Sequence, residues 1–157
     1  MKLSTKGRYA VTAMADIALH ADGQPVALAE IAERQRISLA YLEQLFGKLR
    51  RAGLVESMRG PGGGYTLARP ATAIPVAQIM AAVEENLQAT QCSGEVGDGC
   101  AIAGKRCLTH NLWERLSAHV HVFLQQTSLE DVIATEIQPC PAVPDFTALL
   151  AEEGADA

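Results

Sequence analysis

The stretch Ile37-Ser38-Leu39-Ala40-Tyr41-Leu42-Glu43-Gln44-Leu45-Phe46-Gly47-Lys48-Leu49-Arg50-Arg51, continued by Ala52-Gly53-Leu54-Val55-Glu56-Ser57-Met58 and Arg59-Gly60-Pro61-Gly62-Gly63-Gly64-Tyr65, decides the fold. Ser38 is a residue of the kind that caps helix N-termini. Leu42, Leu45, Phe46 and Leu49 follow at i, i+3, i+4 and i+7, which places them on one buried face of a helix running to about Arg51. Ala52-Gly53 closes that helix. Residues 54–58 alternate enough for a strand and Tyr65-Thr66-Leu67 for a second, with glycines between them to supply the positive φ that a hairpin turn demands. The glycine run is not a phosphate cradle, because no Lys-Ser/Thr follows it and no helix starts there.

Upstream, Ala10, Met14, Ile17 and Ala21 predict a first helix starting near Gly7 and ended by Asp22-Gly23-Gln24-Pro25. A short second helix, Ala27 to Gln35, turns Leu28, Ile31 and Ala32 inward. The tight turn Arg36-Ile37-Ser38 joins it to the third. Helix, helix, turn, helix and β-hairpin in this order describe a winged helix-turn-helix. A generic α+β core with a Gly-rich loop is the plainer alternative.

Downstream, Pro75 opens a fourth helix with a stripe of Val76, Ile79, Met80 and Val83. Residues 91–107 read as a loop with four glycines. A long helix is expected from Leu108 to about Gln126, where Trp113, Leu116, Val120 and Phe123 step by 3, 4 and 3. That is a short coiled-coil seam for dimerisation, although burial within the monomer would produce the same stripe. Thr127-Ser128-Leu129-Glu130 matches a capping box for a last short helix. The expected organisation is a DNA-binding domain over 1–84, a loop over 85–110 that carries Cys92, Cys100, Cys107 and His110, a dimerisation helix with a short final helix over 111–135, and a flexible acidic tail over 136–157. The fold class is mainly α.

The chain has 157 residues, 48% of them apolar, enough for the core of one ordinary domain. No apolar run approaches the roughly 18 residues a membrane-spanning helix needs. Asp16 and His20 interrupt the stretch that could pass for a signal peptide, so a cytoplasmic protein without a membrane partner is expected. The formal net charge is −5, but it hides an asymmetry. Residues 1–69 carry ten Lys/Arg against six Asp/Glu, a balance of +4, and the remainder carries three against twelve, a balance of −9. A basic front half and an acidic back half suggest a nucleic-acid module followed by something else.

The face of the third helix opposite its core stripe presents Ala40, Gln44, Gly47 and Arg51, flanked by Glu43 and Lys48. Ser38 and Tyr41 at its start complete the expected contact surface with a double-stranded operator. Gln44 can bond adenine bidentately, Glu43 can accept from cytosine N4, and the basic residues neutralise phosphates. A solvated face would account equally well for Lys48, Arg50 and Arg51 one at a time. Arg59, at the hairpin tip, is placed to enter a minor groove, and Lys2 and Lys6 are candidate backbone contacts.

Cys92, Cys100, Cys107 and His110 form a C-x7-C-x6-C-x2-H array, and three thiolates with an imidazole can complete one metal centre. Cysteines in a cytosolic chain point to metal or redox chemistry before disulfides. Zinc knuckles show short C-x2-C pairs, so a glycine-rich loop around a [2Fe-2S] cluster suits the open spacing better, while the spacing admits zinc as well. Three inert cysteines in a loop are the plainest reading. Cys140, between two prolines, reads as a bystander, and His20, His119 and His121 as surface or interface histidines. No nucleophile-base pair, paired carboxylates or substrate motif indicates an enzyme.

Lys6-Gly7-Arg8-Tyr9-Ala10, Ile37 through Phe46, Leu49-Arg50, Gly53-Leu54-Val55, Arg59 through Tyr65 and Cys107-Leu108-Thr109-His110 together resemble the IscR family of bacterial iron-sulfur regulators, which also includes the nitric-oxide sensor NsrR and the cysteine-metabolism regulator CymR. The resemblance spans residues 1 to about 135. It implies a homodimeric transcription factor, mainly a repressor with some activating roles, that holds a [2Fe-2S] cluster on Cys92, Cys100, Cys107 and His110. It also implies that the cluster assembly machinery is the donor and that cluster assembly genes are the target. A regulator of the same fold answering nitric oxide or redox state, a zinc-stabilised DNA-binding protein and a small electron carrier are the alternatives, and the last leaves a recognition helix and a wing unexplained.

Overall fold

In the computed structural model, residues 3–21, 23–88 and 107–135 are described. Helix α1 spans Thr5–His20 and starts two residues earlier than periodicity predicts, because the Ser4 hydroxyl accepts from the Lys6 N–H and begins the helix there. Ala10, Met14 and Ile17 are buried as expected, and Ala13 joins them. Helix α2 is Leu28–Gln35. It ends at Arg36, whose φ of 54° is left-handed and turns the chain sharply into the next element. Buried Ile37 pins the turn, and Ser38 caps helix α3, Leu39–Arg51, by accepting from the Tyr41 N–H at 3.3 Å. Leu42, Leu45, Phe46 and Leu49 are all buried.

Strands β1, Val55–Met58, and β2, Gly64–Leu67, pair antiparallel, with Val55 opposite Leu67 and Met58 opposite Gly64. Val26 adds a bridge to Tyr65 on the other edge of β2, with backbone bonds of 2.9 and 2.8 Å. Gly64 is required there, since a Cβ would run into the Val26 carbonyl. The Tyr65 ring packs edge-on against Phe46, 4.8 Å between centroids, so the wing is fastened to the core of α3.

A 3-10 turn, Ala71–Ala73, leads to helix α4, Val76–Ala82. Helix α5 spans His110–Gln126, two residues shorter at its start than predicted, and leans against α4. Helix α6, Leu129–Ala134, is capped one residue later than the sequence suggests: Ser128 accepts from the Asp131 N–H, and the Asp131 carboxylate accepts from the Ser128 N–H and hydroxyl. The Thr127 hydroxyl is occupied instead in donating to the Phe123 carbonyl, which is why the box slips by one. Backbone bonds from Val76 to Thr127 and from Leu129 to Ile74 staple α6 to the start of α4, and Leu129 lies fully buried in the common core against α1.

Candidate functional site

α2, the turn at Arg36 and α3 set one exposed helix face beside the wing. Ala40, Glu43, Gln44 and Arg51 are exposed, as is Arg59 beyond the end of β1. The Ser38 hydroxyl, having accepted from Tyr41, still has its own proton to donate outward. The Tyr41 ring is half-buried edge-on against Tyr9, 6.0 Å between centroids, so it braces α3 on α1 as well as bordering the surface. A Cβ on Gly47 would meet nothing within 4 Å, so this position leaves space outside the helix for another molecule's backbone to come near. The Arg51 guanidinium folds back to donate to the Gly47 carbonyl at 3.1 Å, and Arg50 donates to Ser57 at 3.3 Å across to the wing.

Lys48 and Lys6, expected at phosphates, converge on one residue. Lys48 Nζ lies 2.6 Å from Glu84 Oε2, and Lys6 Nζ donates to the Glu84 carbonyl at 2.8 Å. The hydrogen bond from Lys48 and its charge hold the Glu84 carboxyl below the usual carboxylate range. Next to it, the Glu85 carboxylate accepts from the Ser4 N–H at 2.8 Å, from the Ser4 hydroxyl and from the Gly7 N–H at 3.1 Å, closing the N-terminus of α1. Burial alone would raise the Glu85 carboxyl, but these bonds keep it lowered. Gly7 makes the approach feasible, because a Cβ there would stand 2.6 Å from Met80 Sδ and 2.9 Å from Glu85 Cγ. Sequence reading missed both glutamates, since contacts made 36 and 81 residues away leave no local period.

Inside the helix-turn-helix, Asp16 on α1 is a buried carboxylate. Arg34 Nη2 donates to it at 2.6 Å, Arg34 Nε at 3.1 and 3.2 Å to its two oxygens, and Gln35 Nε2 at 2.7 Å. Burial would raise this carboxyl, and the bonds from Arg34 and Gln35 with the Arg34 charge outweigh it, leaving it lowered. This clamp ties α1 to the last turn of α2, just before the chain turns into α3.

The metal-ligand candidates divide. Cys92 and Cys100 lie outside the described residues, as does Lys2. Cys107 and His110 stand one turn apart at the start of α5, where the His110 N–H donates to the Cys107 carbonyl at 3.1 Å, and His110 is buried. Thr109 ties this turn to the helix beyond: its hydroxyl accepts from Trp113 Nε1 at 3.1 Å and lies 3.8 Å from Cys107 Sγ. Beyond His110 the predicted seam stays on the surface. Leu116 is 40% exposed, Phe123 43% and Leu112 58%, while Trp113 and Val120 are half-buried, so the stripe does not form the monomer's core. His20, His119 and His121 are exposed. No helix among the described residues is long and apolar enough to cross a membrane.

The model of the Rrf2 family, described as an iron-dependent transcriptional regulator, matches residues 3–135. The chain belongs to the Rrf2 family. An HTH-type transcriptional regulator IscR of Cereibacter sphaeroides is 56% identical over 155 residues, covering 98% of this chain and all of that protein. The IscR of Xenorhabdus nematophila is 55% identical, with 87% of this chain and 81% of that protein covered. Among solved structures, T. potens IscR superposes with a TM-score of 0.69 at 38% identity, covering 87% of this chain and 88% of that one. CymR of B. subtilis, called the global cysteine regulator, gives 0.70 at 35%, covering 86% and 98%. The Rrf2 winged-helix fold and a role as a DNA-binding transcriptional regulator, not an enzyme, follow for this chain.

Proposed function

We propose that this Rrf2 protein is a cytoplasmic homodimer, mainly a repressor, that controls iron-sulfur cluster assembly genes according to the occupancy of a [2Fe-2S] cluster. The observation that carries the reading is the placement of Cys107 and buried His110 on one turn at the head of the helix whose apolar stripe stays exposed. A thiolate and an imidazole so spaced are a donor pair of the right chemistry, and Cys92 and Cys100 would complete the set. Bound there, the cluster would supply a centre whose presence depends on iron-sulfur supply, delivered by the assembly machinery. His110 would be the ligand most readily lost, because an imidazole can be protonated and carries no thiolate charge.

The chain's own residues do the rest in this reading. Trp113, Leu116, Val120 and Phe123 bury against the same helix of a second copy, so that movement at Cys107 and His110 reaches the dimer axis. Residues 1–84 form the DNA-binding part, 85–110 the cluster loop, 111–135 the dimerisation helix with the short final helix, and 136–157 an acidic tail. Ser38, Ala40, Tyr41, Glu43, Gln44, Lys48 and Arg51 line the recognition surface, Arg59 enters the minor groove, and Lys2 and Lys6 meet the backbone. Glu43 discriminates between sites, since a carboxylate is favourable beside a cytosine amino group and repelled by phosphate.

Protein purified without oxygen is expected to be red-brown with visible absorption, and Cys107→Ala to be colourless yet fold with the same helical content. It should then rank a panel of operators differently at fixed salt. A colourless wild type carrying equimolar zinc would replace the sensor with a structural metal site. Identical rankings and affinities for loaded protein and variant would remove the cluster as the signal.

A further inference from the structure

Two lysines of the DNA-facing side, Lys48 on α3 and Lys6 on α1, both terminate on Glu84, just past the end of α4. The residue is held in place from both directions. Its own φ is +56°, a left-handed conformation uncommon for a side-chain-bearing residue, and the next residue is locked to the N-terminus of α1 by three hydrogen bonds. The backbone that carries the Glu84 carboxylate is therefore held beside Lys48. The carboxylate's own partner is Lys48, while Lys6 is held on the Glu84 carbonyl beside it. The Glu84 side chain is also 76% exposed, and an exposed ion pair is weak and salt-screened, hence easily exchanged for another anion.

We propose that Glu84 is an intramolecular counter-ion of the recognition surface, competing with DNA phosphate for Lys48 and thereby lowering sequence-independent affinity so that base contacts on α3 decide where the protein stays. DNA affinity is dominated by the phosphate term, and a regulator must hold that term down to distinguish an operator from the genome around it. A carboxylate fixed beside a phosphate-binding lysine does this in two ways: it occupies the cation before binding, and it repels the phosphate that approaches. The proposal rests on the reading of α3 as the DNA-facing helix.

The test uses the full chain and a mixed-sequence 30-base-pair duplex, with anisotropy titrations from about 50 to 300 mM salt. Glu84→Gln keeps the shape of the side chain and removes its charge, and its melting temperature is measured beside wild type. It is expected to bind the duplex about three- to tenfold tighter at low salt, with the gain shrinking as salt rises. The double variant Glu84→Gln with Lys48→Met should lose that gain. Unchanged or weaker binding by Glu84→Gln would overturn the proposal and leave Glu84 as a brace that positions Lys48. If Lys48→Met and Arg59→Ala in the wild-type background both leave binding unaltered, the DNA-facing assignment of α3 falls, and the proposal with it.

Discussion

The body made of α1 to α4, the wing and α6 contrasts with helix α5. In the body, apolar side chains from every helix meet in one core: Met14 and Ile17 of α1, Ile31 of α2, Phe46 and Leu49 of α3, Ile79 of α4 and Leu129 of α6 are fully buried. On α5, 17 residues long, His110 is the one residue that counts as buried among the described residues, while leucines and a phenylalanine of the stripe face outward. The same amphipathic pattern thus has two different fates. A helix whose apolar face meets the chain's own core stabilises the monomer, whereas the exposed part of the α5 stripe, uncovered by the described residues, is the surface the proposed second copy would bury. Stability of the body and the association proposed for α5 should therefore respond to different substitutions.

Phe46→Ala tests the body most severely. It removes a fully buried ring that supports both α3 and the wing, and should cost about 3–5 kcal/mol in denaturant unfolding without weakening self-association at temperatures where the protein is folded. Asp16→Ala should cost about 1–3 kcal/mol, because it strips the buried hydrogen-bond acceptor from Arg34 and Gln35, although the exposed Arg34 guanidinium can turn to water. The folded-state carboxyl is lowered, so its stabilisation is complete above the unfolded value and is lost as pH falls through the folded value, below about pH 4. Asp16→Asn should accordingly flatten the acid limb of stability against pH, and an unchanged limb would show that other carboxylates govern it.

For α5 the expected result is the reverse. If the stripe is the proposed dimer interface, Leu116→Glu places a charge at its exposed centre and should weaken self-association about 100-fold in sedimentation while leaving the helical content near that of wild type. A dimer that persists would move the interface away from α5. The smallest effect is expected at the joint between the two regions. Ser128→Ala removes the N-cap of α6, a loss of about 1 kcal/mol, and should loosen the seat of Leu129 while the wing stays intact. Hydrogen exchange confined to residues 127–135 and their contacts on α1 is the measurement, and uniform exchange across the chain would contradict it.

The sequence by itself determined the helices to within about two residues at their starts, the inward faces of α1 to α4, the cap at Ser38, the hairpin with its glycines and the C-x7-C-x6-C-x2-H array. These are local properties: helical spacing, glycine backbone freedom and donor chemistry are all expressed within a few residues. Even here its resolution was limited by competition between neighbours, as when Thr127 spends its hydroxyl on Phe123 and leaves the capping to Ser128. Only the tertiary structure decided that α6 returns to pack Leu129 beside α1, that Asp16 is clamped by Arg34, and that Glu84 and Glu85 hold Lys48, Lys6 and the start of α1. It also decided that the stripe of α5 stays on the surface instead of closing the core. Each of these depends on where distant segments of the chain are brought together, and no spacing along the sequence carries that information.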